Sequence, residues 1–261
     1  MKAGFAEDGF TVYDAEDSLK AWARAALPLA EKAVKDPDLR RDWLRCEGTW
    51  FVGVDALPTG LAGEADGVPL TARVIDDLSA RYDFCRPMHK AQLSVVYPGY
   101  PKPREGESEA AFRYRLIRDA AHVDGLHALG ADRRRHLEEC HAFLLGIPLN
   151  DCTTETSPLV VWRGSHHIIQ RALSDVLSPH PVDDWHKVDV TEAYHSARRE
   201  VFETCERVEL PVCVGQATVM HRHMLHGIAP WRSGGQPSGR MIAYFRPELP
   251  SAESWLATDP N

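Results

Sequence analysis

The sequence predicts a mainly β fold with a helical N-terminal flank, α+β in class, built around a jelly-roll core. Two textures in the chain predict it. From about residue 88, short apolar runs alternate with turns rich in Gly, Pro and Asn-Asp, the pattern of an antiparallel sandwich or barrel. Before that point, the first ninety residues carry apolar side chains mostly at helical spacing. A jelly roll is the economical form of such a core, because two facing sheets can hold a small cofactor between them.

The flank reads as three helices and a strand. "DAEDSLKAWARAALPLAEKAVKD" places Leu19, Trp22, Ala26 and Leu29 at helical spacing, with acids before the first turn and lysines near the end. Pro28 is expected to kink or interrupt that helix. "DPDLRRDWLRC" predicts a short helix with Pro37 near its first turn. In "LTARVIDDLSARY", Val74, Leu78 and Tyr82 recur every four residues and predict a third. Between these helices, "GTWFVGVDALPTG" predicts a strand ending in a Pro/Gly turn.

In the core, strands are expected in "KAQLSVVYPGYP", "CHAFLLGIPLND", "SPLVVWRGSH" and "GRMIAYFRPEL". One or two more fall in "RVELPVCVGQATVMHR", around a turn at Gly215. Helical intervals are expected at "SEAAFRYRLIRDA" and near "TEAYHSARREVFETC", and no internal repeat stands out.

A chain of 261 residues fits one domain spanning 1–261, with the flank at 1–87, the core at 88–247 and a tail at 248–261. A hydrophobic fraction of 44% with 26% charged residues is that of an ordinary soluble globular protein. The net charge of -8 argues against a nucleic-acid or anionic-membrane surface. "MKAGFAEDGFTVYDAEDSL" lacks an apolar stretch and carries acids, so it does not read as a signal peptide. No apolar run reaches the ~18 residues of a membrane span. Six cysteines, Cys46, Cys85, Cys140, Cys152, Cys205 and Cys213, show no C-x-x-C spacing and read as free thiols of a reducing cytoplasm.

The chemistry centres on "AAHVDGLHA", where His122 and Asp124 stand two positions apart. Chance supplies roughly one H-x-D in a chain of this composition, so the motif needs company. If residues 121–125 are extended, both side chains share a face and reach one metal. "MHRHMLHGIAPW" offers His221, His223 or His226 as a third ligand. Two histidines and one carboxylate on one face of a metal, with positions left open, form the non-haem Fe(II) oxygenase site. In "RMIAYFR", Arg240, Ile242, Tyr244 and Arg246 alternate with Met241, Ala243 and Phe245. An interior arginine is costly unless it meets an anion. Arg240 therefore either binds a carboxylate or begins an edge strand facing water.

The order "HVD", "PLNDCTTETSPLVVWRGSH", "GQATVMHRHMLHG", "RMIAYFRP" resembles the phytanoyl-CoA dioxygenase family of Fe(II)/2-oxoglutarate oxygenases, over residues 88 to 247. The resemblance implies a double-stranded β-helix (jelly-roll, cupin-like) core with iron on His122, Asp124 and His226. It also implies 2-oxoglutarate paired with Arg240, dioxygen as cosubstrate, and hydroxylation of a small molecule with release of succinate and CO2. An aspartate at 124 speaks against a halogenase, whose carboxylate is replaced by a small residue. The chain departs from the family pattern at "SPL" and "WRGSH", and in the Gly-rich gap before Arg240, where Arg232 competes for the cosubstrate.

Other residues carry weaker expectations. His166 and His167 follow a turn and read as structural, and His127 matches no ligand position. The 97–120 insertion is a candidate lid whose Arg113, Arg115 and Arg118 either clamp an anionic substrate or line a solvated helix. Trp162, Trp185 and Trp231 line a pocket or pack in the core. Two other classes stay open: a cupin-like metal enzyme without 2-oxoglutarate, and a non-catalytic binding protein on the same fold. The substrate is not read as acyl-CoA, since fold does not choose substrate.

Overall fold

A computed structural model describes residues 4–82, 88 and 90–257. The first three residues, Cys85 and the last four residues of the expected tail lie outside the described residues. The flank runs α1 (Phe5–Asp8), β1 (Phe10–Tyr13), α2 (Asp17–Ala33), α3 (Pro37–Trp43), β2 (Leu44–Arg45), β3 (Trp50–Leu57) and α4 (Arg73–Arg81). The core begins with β4 (Ala91–Val96), α5 (Glu109–Ile117), a hairpin of β5 (Leu126–Leu129) and β6 (Arg134–Leu137), β7 (Phe143–Pro148) and β8 (Leu159–Trp162). It continues through α6 (Ser165–Leu177), a 3-10 turn at Val182–Lys187, α7 (Thr191–Thr204), β9 (Arg207–Leu210), β10 (Ala217–His221), β11 (His226–Ile228) and β12 (Arg240–Phe245). The last element is α8 (Ala252–Leu256).

The strands form a jelly roll. One sheet has seven strands in the order β1-β10-β7-β12-β4-β3-β2, and a smaller one has the order β11-β8-β9. A bridge between His122 and His226 adds the segment after α5 to the free edge of the small sheet. From β4 to β12 the chain passes back and forth between the two sheets, so its chemistry-bearing residues collect on the faces that look at each other.

The outer face of the large sheet is closed by α2. Its buried residues Leu19, Trp22, Ala23, Ala26 and Ala30 form a stripe in which alanines allow close approach. Trp22 is fully buried, packs on Phe245 with ring centroids 5.8 Å apart, and donates its indole N–H to the Gly63 carbonyl at 2.8 Å. Strand β12 alternates as its sequence predicts: Met241, Ala243 and Phe245 join this outer core, and Arg240, Ile242, Tyr244 and Arg246 lie on the opposite face.

Several expectations need correction. Pro28 neither ends nor splits α2: its ring is exposed while the alanines on either side stay packed. Residues 121–125 are not a strand. Only His122 pairs, and Asp124 already belongs to a turn. His166 and His167 follow the turn at Arg163 and Gly164 as expected, but they sit in the first turn of α6, a helix that the sequence did not predict. Strands β1 and β2 extend the large sheet at its two edges, and the β5–β6 hairpin was likewise not foreseen.

Truncating a fully buried Trp costs about 3–5 kcal/mol. Trp22→Ala is therefore expected to lower the unfolding free energy by that amount in urea titration. A loss under ~1 kcal/mol would show that α2 is not part of the cooperative unit.

Candidate metal centre

His122 and His226 face each other across the small sheet. Each backbone N–H donates to the other's carbonyl, at 2.8 and 3.0 Å, and the two rings lie 4.5 Å apart. Their Nδ1 atoms contact carbonyl oxygens two residues back: Ala120 at 3.1 Å for His122, and Met224 at 3.0 Å for His226. A carbonyl only accepts, so in each neutral ring Nδ1 carries the proton and Nε2 presents a lone pair. Asp124 Oδ1 lies 3.2 Å from Nε2 of His122 and 3.7 Å from Nε2 of His226. Three acceptor atoms thus converge, all within 4.8 Å of one another. Two imidazole nitrogens and a carboxylate oxygen placed in this way could hold a metal ion.

Electrostatics leaves the His226 ring neutral and the Asp124 carboxyl ionised. Burial, reinforced by the charge of His122, pushes His226 down to about 4, so its ring stays neutral near pH 7. Burial pushes the Asp124 carboxyl up, but the contact with His122 and the charges of Arg246 and His226 outweigh it and hold it well below the usual range. Arg246 donates from Nη1 to Asp124 Oδ2 at 3.1 Å, leaving Oδ1 turned to the histidines. Arg246 was not foreseen as a site residue. Its signal was the two-residue period that puts it on the same face as Arg240.

The local sequence explains how His122, Asp124 and His226 are brought together. A Cβ at Gly125 would lie 2.3 Å from the Glu139 carbonyl oxygen, and Gly125 has φ +84. A Cβ at Gly227 would lie 2.2 Å from the carbonyl oxygen of Asp119. These glycines directly follow Asp124 and His226, and each permits a backbone approach that a side chain would block. Asp119 is itself fixed: its carboxylate takes two hydrogen bonds from Arg207, at 2.7 and 2.9 Å, and its carbonyl accepts from Ile228. Ser165 Oγ accepts from the Leu225 N–H at 3.0 Å, and Tyr194 Oη accepts from the Val123 N–H at 3.1 Å. The Gly-Ser-His block thus steadies the turn before His226.

Arg240 and Arg232 differ sharply. Arg240 is 1% exposed, and among the described residues no acceptor lies within hydrogen-bonding distance of its Nε, Nη1 or Nη2. Arg232 is exposed and already paired with both carboxylate oxygens of Glu209, at 2.9 and 2.5 Å. Between the sheets a cavity of about 200 Å³ is lined by His122, Asp124, His226, Arg246, Tyr244 and Trp50, among others.

The remaining candidates lie elsewhere. His221 and His223 stack with each other, with His166 and with Trp255, in a buried cluster apart from the triad. His127 contacts Glu139 at 3.2 Å. In the insertion, Arg115 is buried against Glu107 and so is not available as a clamp, while the exposed Arg113 and Arg118 lie on or beside α5, Arg118 over the Phe202 ring. Trp162 and Trp185 pack in the core beneath α6 and α7, while Trp231 lines a pocket beside Arg240. The described cysteines are free thiols, and no described helix is long and apolar enough to cross a membrane.

No protein-family model matches the chain, and no curated protein does. Solved structures do. The non-heme α-ketoglutarate-dependent carbocyclase SnoK from nogalamycin biosynthesis is similar with a TM-score of 0.52 at 15% identity, over 95% of this chain and 85% of that one. AviO1 from Streptomyces viridochromogenes Tue57 gives 0.48 at 16% identity, over 95% and 93%. EctD from S. alaskensis with bound Fe gives 0.44 at 16% identity, over 95% and 77%. At 15% identity the likeness to SnoK bears on the fold alone.

If the three atoms are a metal's ligands, His122→Ala and His226→Ala each weaken Fe(II) binding by more than roughly a hundredfold, since losing outer partners alone costs about 10–100-fold. His127→Ala leaves it unchanged. Anaerobic equilibrium titration reads both; equal affinity in His122→Ala and wild type would contradict the assignment.

Proposed function

We propose that the protein is an Fe(II)- and 2-oxoglutarate-dependent oxygenase that hydroxylates a small molecule, with His122, Asp124 and His226 as iron ligands. The observation that carries this reading is Arg240. Its guanidinium is buried without a partner, on the same inward face of β12 as Arg246, which touches Asp124. An unpaired charge at that depth costs several kcal/mol and calls for an anion. A dicarboxylate that also reaches the metal answers that demand, through the planar two-point contact an arginine makes. SnoK's dependence on α-ketoglutarate agrees with it, as does the resemblance of the sequence blocks to the phytanoyl-CoA dioxygenases.

The donor set suits the group. Two neutral imidazole nitrogens and one carboxylate oxygen match Fe(II) and leave coordination positions open. When bound, iron with 2-oxoglutarate and dioxygen supplies the power to oxidise a C–H bond, releasing succinate and CO2. The chain does the rest. Arg246 holds the second oxygen of Asp124, and the Ala120 and Met224 carbonyls fix the histidine tautomers. Leu144, Leu159 and Ile228 line the cavity with apolar surface and keep water from the centre. The side chain of His122 is 41% exposed against 9% for His226, so access is from the His122 side.

With Fe(II), 2-oxoglutarate and air, the protein is expected to release succinate. A charge-assisted pair of this kind is worth about 1.5–3 kcal/mol, so Arg240→Ala raises KM for 2-oxoglutarate roughly ten- to a hundredfold. Arg232→Ala leaves KM as it is. No succinate, or the same KM in both variants, would favour a metal enzyme of another kind.

A further inference from the structure

A second group of arginines lies where the metal centre opens to solvent. A pocket of about 420 Å³ is lined both by His122 and Asp124 and by Arg133 and Arg135 of the β5–β6 hairpin. The hairpin starts directly after Gly125, so its position is tied to that of Asp124. Strand alternation sorts its arginines. Arg134 points away from the pocket and is paired with Asp189 at 2.5 Å and Glu192 at 3.3 Å. Arg135 is half-buried, and its guanidinium makes one hydrogen bond, from Nη1 to the Leu126 carbonyl at 2.9 Å. Among the described residues neither Arg133 nor Arg135 has a carboxylate partner.

The surroundings of Arg135 add positive charge rather than cancel it. Arg198 stacks on Tyr114 and Tyr194 and has a buried Nε without a hydrogen-bond partner. Burial, together with the charges of Arg198 and Arg133, pushes Arg135 below its ordinary value, although Tyr194 and Tyr114 work the other way. The acid on the same pocket wall, Glu139, is engaged by His127 and His141, each at 3.2 Å. This happens in a chain with 38 acidic and 30 basic residues, where counter-charges are plentiful. Like charges gathered without a partner beside a cavity call for an anion from outside.

We infer that the substrate carries an oxyanion, a carboxylate or a phosphate, which Arg135 and Arg133 hold at the pocket mouth. The rest of the molecule then extends toward the His122 and Asp124 edge. A guanidinium fork suits either oxyanion, through two parallel N–H contacts. The inference deepens the oxygenase reading and rests on it for the direction in which the substrate lies. Arg133 and Arg135, unlike Arg115 of the 97–120 insertion, are not already paired with an acid.

The test uses the full-length protein without added metal, so it is independent of whether iron binds. Inorganic phosphate is titrated with 31P line broadening as readout, and acetate with saturation-transfer proton NMR. Wild type, Arg240→Ala and the double variant Arg133→Gln/Arg135→Gln are compared, with the thermal unfolding midpoint as a check on folding. Saturable binding of at least one probe is expected, retained in Arg240→Ala and about tenfold or more weaker in the double variant. Arg135→Lys, which keeps the charge and loses the fork, is expected to fall between; it carries the test if the double variant does not fold. A response to acetate alone assigns a carboxylate, and to phosphate alone a phosphoryl group. Equal binding in wild type and both hairpin variants, loss in Arg240→Ala alone, or no saturable binding of either probe would overturn the inference.

Discussion

The centre depends on one backbone pairing, the reciprocal hydrogen bonds between His122 and His226. They join two stretches far apart in sequence and put two imidazoles on the same side of the small sheet, as a directly opposed antiparallel pair must. Everything else in the site conforms to that pairing. Gly227 lets the Asp119 backbone come close, Gly125 turns the chain so that Asp124 swings back, and Ser165 pins the turn that delivers His226. The jelly roll matters because it keeps a second sheet opposite, from which β12 contributes Arg240 and the residue just past its end, Arg246.

The two arginines of β12 do different work because they sit at different points along the strand. Arg246 is spent on Asp124: after the contact with His122, its charge helps keep the carboxylate ionised despite burial, and its hydrogen bond holds the oxygen turned away from the histidines. Arg240 has no such partner. A buried charge left open is rarely tolerated for packing alone. Arg240 lines a pocket with Trp231, next along the same inward face that carries Tyr244 and Arg246 to the cavity of the candidate ligands.

Much of the core was legible in the sequence because β-strands advertise themselves by period. "RMIAYFR" alternates so regularly that both of its faces were assigned correctly, and the helical stripe of α2 was equally clear. What stayed hidden was set by tertiary contact. The four residues of β1 become a strand through pairing with β10. Helix α6 did carry a signal, Ile169, Leu173 and Leu177 at four-residue spacing, but the Gly164 turn before it dominated the reading. Residues 121–125 were expected to be extended, yet Asp124 reaches the histidines from a turn, held by Arg246 and permitted by Gly125. The spacing of the motif was right and its local geometry was not. No period distinguishes Arg135 from Arg134; the difference lies in which acids the fold places nearby.

The central claim is that the triad and Arg240 form one composite site for iron and 2-oxoglutarate. The most direct measurement is an anaerobic titration of the Fe(II)-loaded protein with 2-oxoglutarate, followed by visible absorption. Chelation of the iron by the keto acid gives a metal-to-ligand charge-transfer band. The account predicts that the band appears saturably in wild type, is lost in Asp124→Ala, and needs a higher 2-oxoglutarate concentration in Arg240→Ala. A protein that binds Fe(II) but shows no band at any 2-oxoglutarate concentration would contradict it.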